Sequence, residues 1–271
     1  MPEATLTGSE RIEAAFKASG DEGRAALMPY MMAGFPDRET SLAVADAYAE
    51  SADLVELGVP FSDPLADGPV IHAAATSALA AGATLESSLE VCESISEHVP
   101  VVLMVYANMV LAHGGAAEFA RRALAAGAVG AIVPDLPLGE AEEARVACGD
   151  AGLALVPLVA PTTPADRLAR ICAAAEGFVY VVSTVGTTGE REQVPAALTD
   201  LVAVTKAEAE VPVAVGFGIG TPAQAAEVGR IADGVIIGSR LVRAVGEAGS
   251  ADAAAAAAGD FLRETRVALG G

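Results

Sequence analysis

The chain is predicted to fold as an α/β protein, a (β/α)8 barrel with an extra N-terminal helix, and three observations predict it. From Ala25 onward, short apolar runs alternate with longer Ala-rich segments whose polar residues recur at helical spacing, the pattern of βα units on a parallel sheet. These runs number about eight, as a closed barrel requires. A length of 271 residues with 53% hydrophobic content suits one large core. No Pro- or Ser-rich stretch divides residues 1–271, so a single barrel domain is expected over that span. A doubly wound open sheet is the alternative arrangement.

The elements follow in order. Ser9 with Ile12, Ala15 and Phe16 predicts a short helix ahead of the first strand, closing the barrel floor. Strands are expected at residues 26–32, 54–57, 101–105, 131–133, 154–158, 178–182, 213–215 and 235–237, each needing cover on both faces. The alanine run at 253–258 reads as a final helix rather than a linker. Alanine has the highest helix propensity, and Phe261, Leu262 and Val267 continue its apolar stripe.

Charge narrows the function classes. With 16 basic and 36 acidic residues the net charge is -20, which disfavours nucleic acid and anionic membranes as partners. The N-terminal MPEATLTGSERIEAAF has neither the basic flank nor the apolar core of a secretory signal, and the apolar stretch 99–112 is interrupted by Pro100 and Asn108. A cytoplasmic protein is expected. Cys92, Cys148 and Cys172 are odd in number and far apart, so reduced buried thiols are expected rather than disulfides.

In such a barrel, chemistry gathers at the C-terminal ends of the strands. Glu56 interrupts the apolar run Leu54-Val55-Glu56-Leu57, where an ionised carboxylate is costly unless it faces a polar cavity. Burial there raises a carboxyl pKa toward neutrality and fits Glu56 for proton transfer. The next eleven residues, 59–69, hold three prolines, Asp63, Asp67 and Gly68. Three fixed φ angles make this a shaped loop able to hold an acid in place.

Glycine-bearing turns follow the last three expected strands: Gly186-Thr187-Thr188-Gly189, Gly216-Phe217-Gly218-Ile219-Gly220, and Gly238-Ser239. Backbone N–H groups in such turns can cradle a phosphate without lysine. A dinucleotide fingerprint is disfavoured, because Thr221 stands where the third glycine of G-x-G-x-x-G belongs. The only lysines, Lys17 and Lys206, fall in expected helices, so a Schiff base is not expected. His72, His98 and His113 lack ligand spacing, so no metal site is expected either.

The run ELGVPFSDPLADGP, from Glu56 to Pro69, closely resembles the tryptophan synthase alpha subunits, and the resemblance extends from Met28 to Ser239. It implies a TIM barrel that cleaves indole-3-glycerol phosphate to indole and glyceraldehyde 3-phosphate, with Glu56 as acid/base and Asp67 as second catalytic carboxylate. Substrate contacts are implied for Tyr30, Tyr106, Tyr180, Thr188, Gly189, Phe217, Gly218, Gly238 and Ser239. It implies no cofactor in this chain and a beta partner that carries pyridoxal phosphate, in an alpha2-beta2 heterotetramer that takes the indole onward to tryptophan. The partner face would include residues 61–69, Asn108 and Asp135, although loop or helix capping explains the last two equally well. Met32, Phe35, Thr187 and Gly220 depart from the commonest family pattern, at the indole pocket or beside the phosphate turns. A free-standing lyase, a regulatory phosphate-sensing subunit and a barrel acting on another sugar phosphate are the competing functions.

Overall fold

A computed structural model describes residues 6–112, 114–182, 195–216 and 218–271. In chain order its elements are α1 (Gly8–Asp21), β1 (Ala26–Met32), α2 (Arg38–Ala49), β2 (Val55–Gly58), α3 (Pro69–Ala80), α4 (Leu85–Ser96), β3 (Val101–Met104), α5 (Ala107–Leu111), α6 (Gly115–Ala125) and β4 (Ala128–Ile132). There follow α7 (Glu142–Ala151), β5 (Ala154–Val156), β6 (Leu158–Val159), α8 (Ala165–Ala173), β7 (Val179–Val182), α9 (Ala196–Glu208), β8 (Val213–Gly216), α10 (Pro222–Gly229), β9 (Gly234–Ile237), α11 (Ser239–Glu247) and α12 (Ala251–Leu269).

Every strand pairing is parallel, in the order β5-β4-β3-β2-β1-β9-β8-β7-β6. The two ends of that order are neighbours in the chain, separated by Pro157 alone, so the sheet curls round into a nearly closed TIM barrel. The expected continuous strand 154–158 is therefore two short ones. Proline has no N–H for the ladder and divides the run there. Its carbonyl still accepts from the Tyr180 N–H at 3.0 Å, which keeps the seam together. The fourth strand begins at Ala128 rather than 131, because backbone pairing to β3 carries through Gly130 without needing a side chain.

Period-two alternation sorts the side chains into layers. Ala26, Met28, Leu54, Val102, Val129, Ala154 and Ala214 fill the barrel, while Leu27, Val55, Leu57, Val101 and Leu103 face the helical ring. The floor is plugged by α1, with Ile12 fully buried and Phe16 packed against Phe178 at 5.6 Å between ring centroids. That helix is capped by Thr7. Thr7 and Glu10 form a reciprocal capping box, and the Ser9 hydroxyl accepts from the Gly177 N–H at 2.9 Å.

Below β2 a charged network ties the floor together. Asp53 accepts from two Arg24 nitrogens at 2.5 and 2.8 Å, from the Leu27 N–H at 2.7 Å and from Arg266 of α12 at 3.1 Å. The alanine run lies within α12, burying Ala254, Ala258, Phe261 and Leu262. No helix of the described residues is long and apolar enough to cross a membrane.

Candidate active site

The barrel mouth holds the two acids singled out by sequence. Glu56 lies on β2 in register with Tyr30 on β1 and Val102 on β3, and is only 3% exposed. Its Oε2 has no hydrogen-bond partner among the described residues. Burial first, and the Asp67 charge second, push its pKa up to about 8. A carboxylic acid in that condition carries its proton at neutral pH and can both deliver and recover one.

The loop from β2 to α3 is fastened at both ends. Its first N–H, Val59, donates to the Met104 carbonyl at 2.9 Å, while Phe61 stacks on Tyr106 with ring centroids 4.9 Å apart. Near its end the Ala66 N–H donates to the Tyr106 hydroxyl at 3.2 Å, and Pro69 then opens α3. This path separates the two aspartates. Asp63 is exposed and accepts from Ser62 at 2.6 Å, whereas Asp67 is half-buried beside Glu56. Burial raises the Asp67 pKa; a Tyr106 hydrogen bond and the nearby His72 oppose that rise.

Tyr30 and Tyr180 wall the mouth in the same way from opposite sides. A Cβ on Gly58 would lie 2.1 Å from the Tyr30 Oη, and one on Gly216 would lie 2.4 Å from the Tyr180 Oη. Each hydroxyl therefore occupies the side-chain slot of a glycine on the neighbouring strand. Burial and the Glu56 and Asp67 charges raise the pKa of both phenols, keeping them neutral donors. Met32 places its sulfur 3.9 Å from the Tyr30 hydroxyl, and Phe35 packs over Gly246 on α11.

Two helix N-termini open after β8 and β9, and they differ. At α10, Thr221 caps the Gln224 N–H, and the Gln224 side chain accepts from the Gly220 and Thr221 N–H groups. Thr221 thus has a capping role where a dinucleotide motif would have glycine. At α11 no side chain caps the first turn, which begins at Gly238 and the buried Ser239. Uncapped N–H groups and the helix dipole suit an anion there. Gly218, at φ +49°, adopts the left-handed backbone that glycine tolerates, at the turn between the two strands. Thr188, Gly189 and Phe217, with Gly186 and Thr187, lie outside the described residues.

Of the residues named from sequence, Tyr30, Glu56 and Tyr180 lie within β1, β2 and β7, Asp67, Tyr106, Gly218 and Gly238 lie in the segments that follow strands, and Ser239 opens α11. Sequence reasoning reads His72 as a capping or surface histidine, and His72 is exposed on the first turn of α3. It also left Asp135 undecided. The Asp135 carboxylate accepts from the Ala107 N–H at 2.8 Å and so caps α5. The described residues contain no cluster of three or more His, Cys, Asp or Glu side chains able to hold a metal ion.

A parallel barrel with paired acids at its mouth and an uncapped helix N-terminus after the last strand is the arrangement of a barrel enzyme with carboxylate acid–base chemistry and an anionic substrate. Comparison with known proteins narrows that class. The family model described as "Tryptophan synthase alpha chain" matches residues 16–267. The tryptophan synthase alpha chain of Synechococcus sp. (strain CC9902) is 47% identical over 264 residues, covering 96% of this chain and 97% of that one. A solved structure of Mycobacterium tuberculosis tryptophan synthase superposes with a TM-score of 0.89 at 38% identity, covering 98% and 99%. A chain of the tryptophan synthase complex from Pyrococcus furiosus gives 0.82 at 34% identity, covering 89% and 98%. The chain belongs to the tryptophan synthase alpha chain family, lyases of tryptophan biosynthesis that cleave indole-3-glycerol phosphate into indole and glyceraldehyde 3-phosphate.

Proposed function

We propose that Glu56 and Asp67 divide this cleavage between them, within one barrel domain spanning residues 1–271. The observation that carries the reading is the buried, unpartnered Glu56 carboxyl beside Asp67 at the barrel mouth. Protonated Glu56 delivers its proton to the indole C3, leaving an iminium-like ring that can accept an electron pair. The resulting carboxylate takes the proton of the adjacent glycerol hydroxyl. The pair left by the O–H bond becomes the second bond of a carbonyl, the carbon–carbon bond breaks, and its electrons return to the ring. Glu56 ends protonated, so the cycle closes on one residue and needs no cofactor. Asp67 stays ionised, accepts from the ring N–H and stabilises the positive charge that builds there.

Tyr30, Tyr106 and Tyr180 form the aromatic wall around the substrate. The phosphate lies on Gly218, Gly238 and Ser239 at the α11 N-terminus, joined by Thr188, Gly189 and Phe217. Beneath Tyr30, Met32 sets the depth of the indole pocket, while Thr187 and Gly220 border the phosphate turns. The chain works in the cytoplasm with a pyridoxal-phosphate beta subunit, as an alpha2-beta2 assembly that receives the indole. The loop 61–69 and the region of Asn108 form the partner face; the exposed Leu65 at the loop tip supports this, being 87% accessible. The test is indole release from authentic substrate by purified protein, with and without a cognate beta subunit. Stimulation by the partner is expected. Full activity alone with no stimulation supports a free-standing lyase, and partner activation without any indole formation supports a regulatory subunit.

A further inference from the structure

The Tyr106 hydroxyl has more bonds than a pocket wall requires. Tyr106 is 1% exposed and lies just past β3, where its backbone forms the N-cap of α5. That backbone is held from behind. The Ala107 N–H donates to the Asp135 carboxylate at 2.8 Å, and the Tyr106 carbonyl accepts from the Met109 N–H at 2.9 Å. From this fixed base the side chain meets the carboxylate loop twice. Its ring stacks on Phe61 with an interplanar angle of 21°, and its oxygen accepts from the Ala66 N–H at 3.2 Å, one residue before Asp67.

A phenol has one proton to give, and an ionised carboxylate can only accept. With the Ala66 N–H directed at its oxygen, the Tyr106 hydroxyl has that proton left for the neighbouring Asp67.

We propose that Tyr106 is the positioning residue for Asp67, fixing through its hydroxyl both the path of the loop at Ala66 and the orientation of the catalytic carboxylate. This rests on the reading of Asp67 as the second catalytic carboxylate. Phe61 anchors the start of the loop, and Asp135 steadies Tyr106 through the α5 N-terminus, so an acid outside the site acts on the chemistry through two contacts.

Steady-state cleavage of indole-3-glycerol phosphate across pH tests the inference, using Tyr106→Phe, Asp67→Asn and the double variant. Tyr106→Phe keeps the ring and its stack and deletes only the hydroxyl. A kcat lower by about five- to thirtyfold is expected, with KM within about threefold, because one charge-assisted bond is lost from the transition state. The acidic limb of kcat moves to higher pH. The groups facing Asp67 are Glu56 from β2, Tyr30 from β1, His72 from α3 and Tyr106 from the β3 end. Of these, Tyr106 and His72 favour its ionised form, and the variant removes one. The double variant should be no slower than Asp67→Asn alone.

Phe61→Leu leaves the hydroxyl bonds in place and should lower kcat less, with the limb unmoved. A Tyr106→Phe enzyme with kcat within about twofold of wild type and an unmoved limb overturns the proposal. So does a double variant whose losses multiply, or a limb shift in Phe61→Leu as large as that in Tyr106→Phe. An Asp67→Asn enzyme with undiminished turnover overturns the underlying role of Asp67 instead, a distinct outcome.

Discussion

Asp53, just before β2, and Glu56, within it, stand three residues apart, and their surroundings are opposites. Asp53, on the floor, is bonded to Arg24, Arg266 and the Leu27 N–H, drawing the start of β1, the start of β2 and the last helix to one carboxylate. Glu56, at the mouth, is more deeply buried and has an oxygen with no partner. The first arrangement pairs the carboxylate with two arginines and ties three elements of the fold together. The second disfavours the charge and holds a proton ready. The strand thus separates a stabilising acid from a reactive one over about 10 Å of chain, and the division follows the barrel rule that the floor maintains the fold while the mouth carries the chemistry.

The contrast can be broken first at Glu56. Glu56→Gln keeps the shape and removes the proton transfer, so kcat for indole formation should fall by about 10³–10⁴-fold, while thermal unfolding shows a variant at least as stable as wild type at neutral pH. Retention of turnover in a folded Glu56→Gln protein contradicts the mechanism. Asp67→Asn comes next, with a loss of about 10²–10³-fold from the missing charge at the ring nitrogen. Rapid-quench single-turnover rates would place that loss in the chemical step.

At the floor the effect is on stability. Asp53→Ala leaves Arg24, whose side chain is 4% exposed, without its main partner, and should cost about 3 kcal/mol in urea unfolding. Turnover per folded molecule should be unchanged, and a lowered kcat at full occupancy of the fold would show that the two ends are coupled.

The last effect is the pH dependence of stability. Glu56 has a native pKa raised from 4.5 to about 8, so between those values the unfolded chain has lost the proton and the native chain has kept it. The stability this gives is fully present below the unfolded pKa and is lost as pH rises through the native one. Urea unfolding of wild type relative to Glu56→Gln should therefore show wild type losing stability from about pH 4.5 to about pH 8, with little further change above. A flat difference would mean that burial does not hold the proton.

Much of this contrast was legible before the fold was known, for identifiable reasons. Glu56 stands out because one acid in an apolar strand is an anomaly that sequence displays directly. Asp67 followed from the density of prolines around it and from family resemblance. The strands were legible because their apolar runs are bounded by turn residues, and Pro157 dividing the fifth of them is a local effect visible only when hydrogen bonds are assigned. Asp53 was not singled out, since nothing local links it to Arg24 or to Arg266, which lies more than two hundred residues further along. The bond of Tyr106 to Ala66 was hidden for the same reason, being made between the segments that follow two different strands. Long-range polar pairing carries no periodic signal, whereas burial and turn chemistry do.

The central claim is that Glu56 is protonated in the resting enzyme at neutral pH. Infrared difference spectroscopy of wild type minus Glu56→Gln reports this through the C=O stretch of a protonated carboxylic acid. That band should be present at about pH 6–7 and titrate away with a midpoint near 8. If only the carboxylate signal is found across that whole range, Glu56 is ionised in the resting enzyme and cannot deliver the first proton.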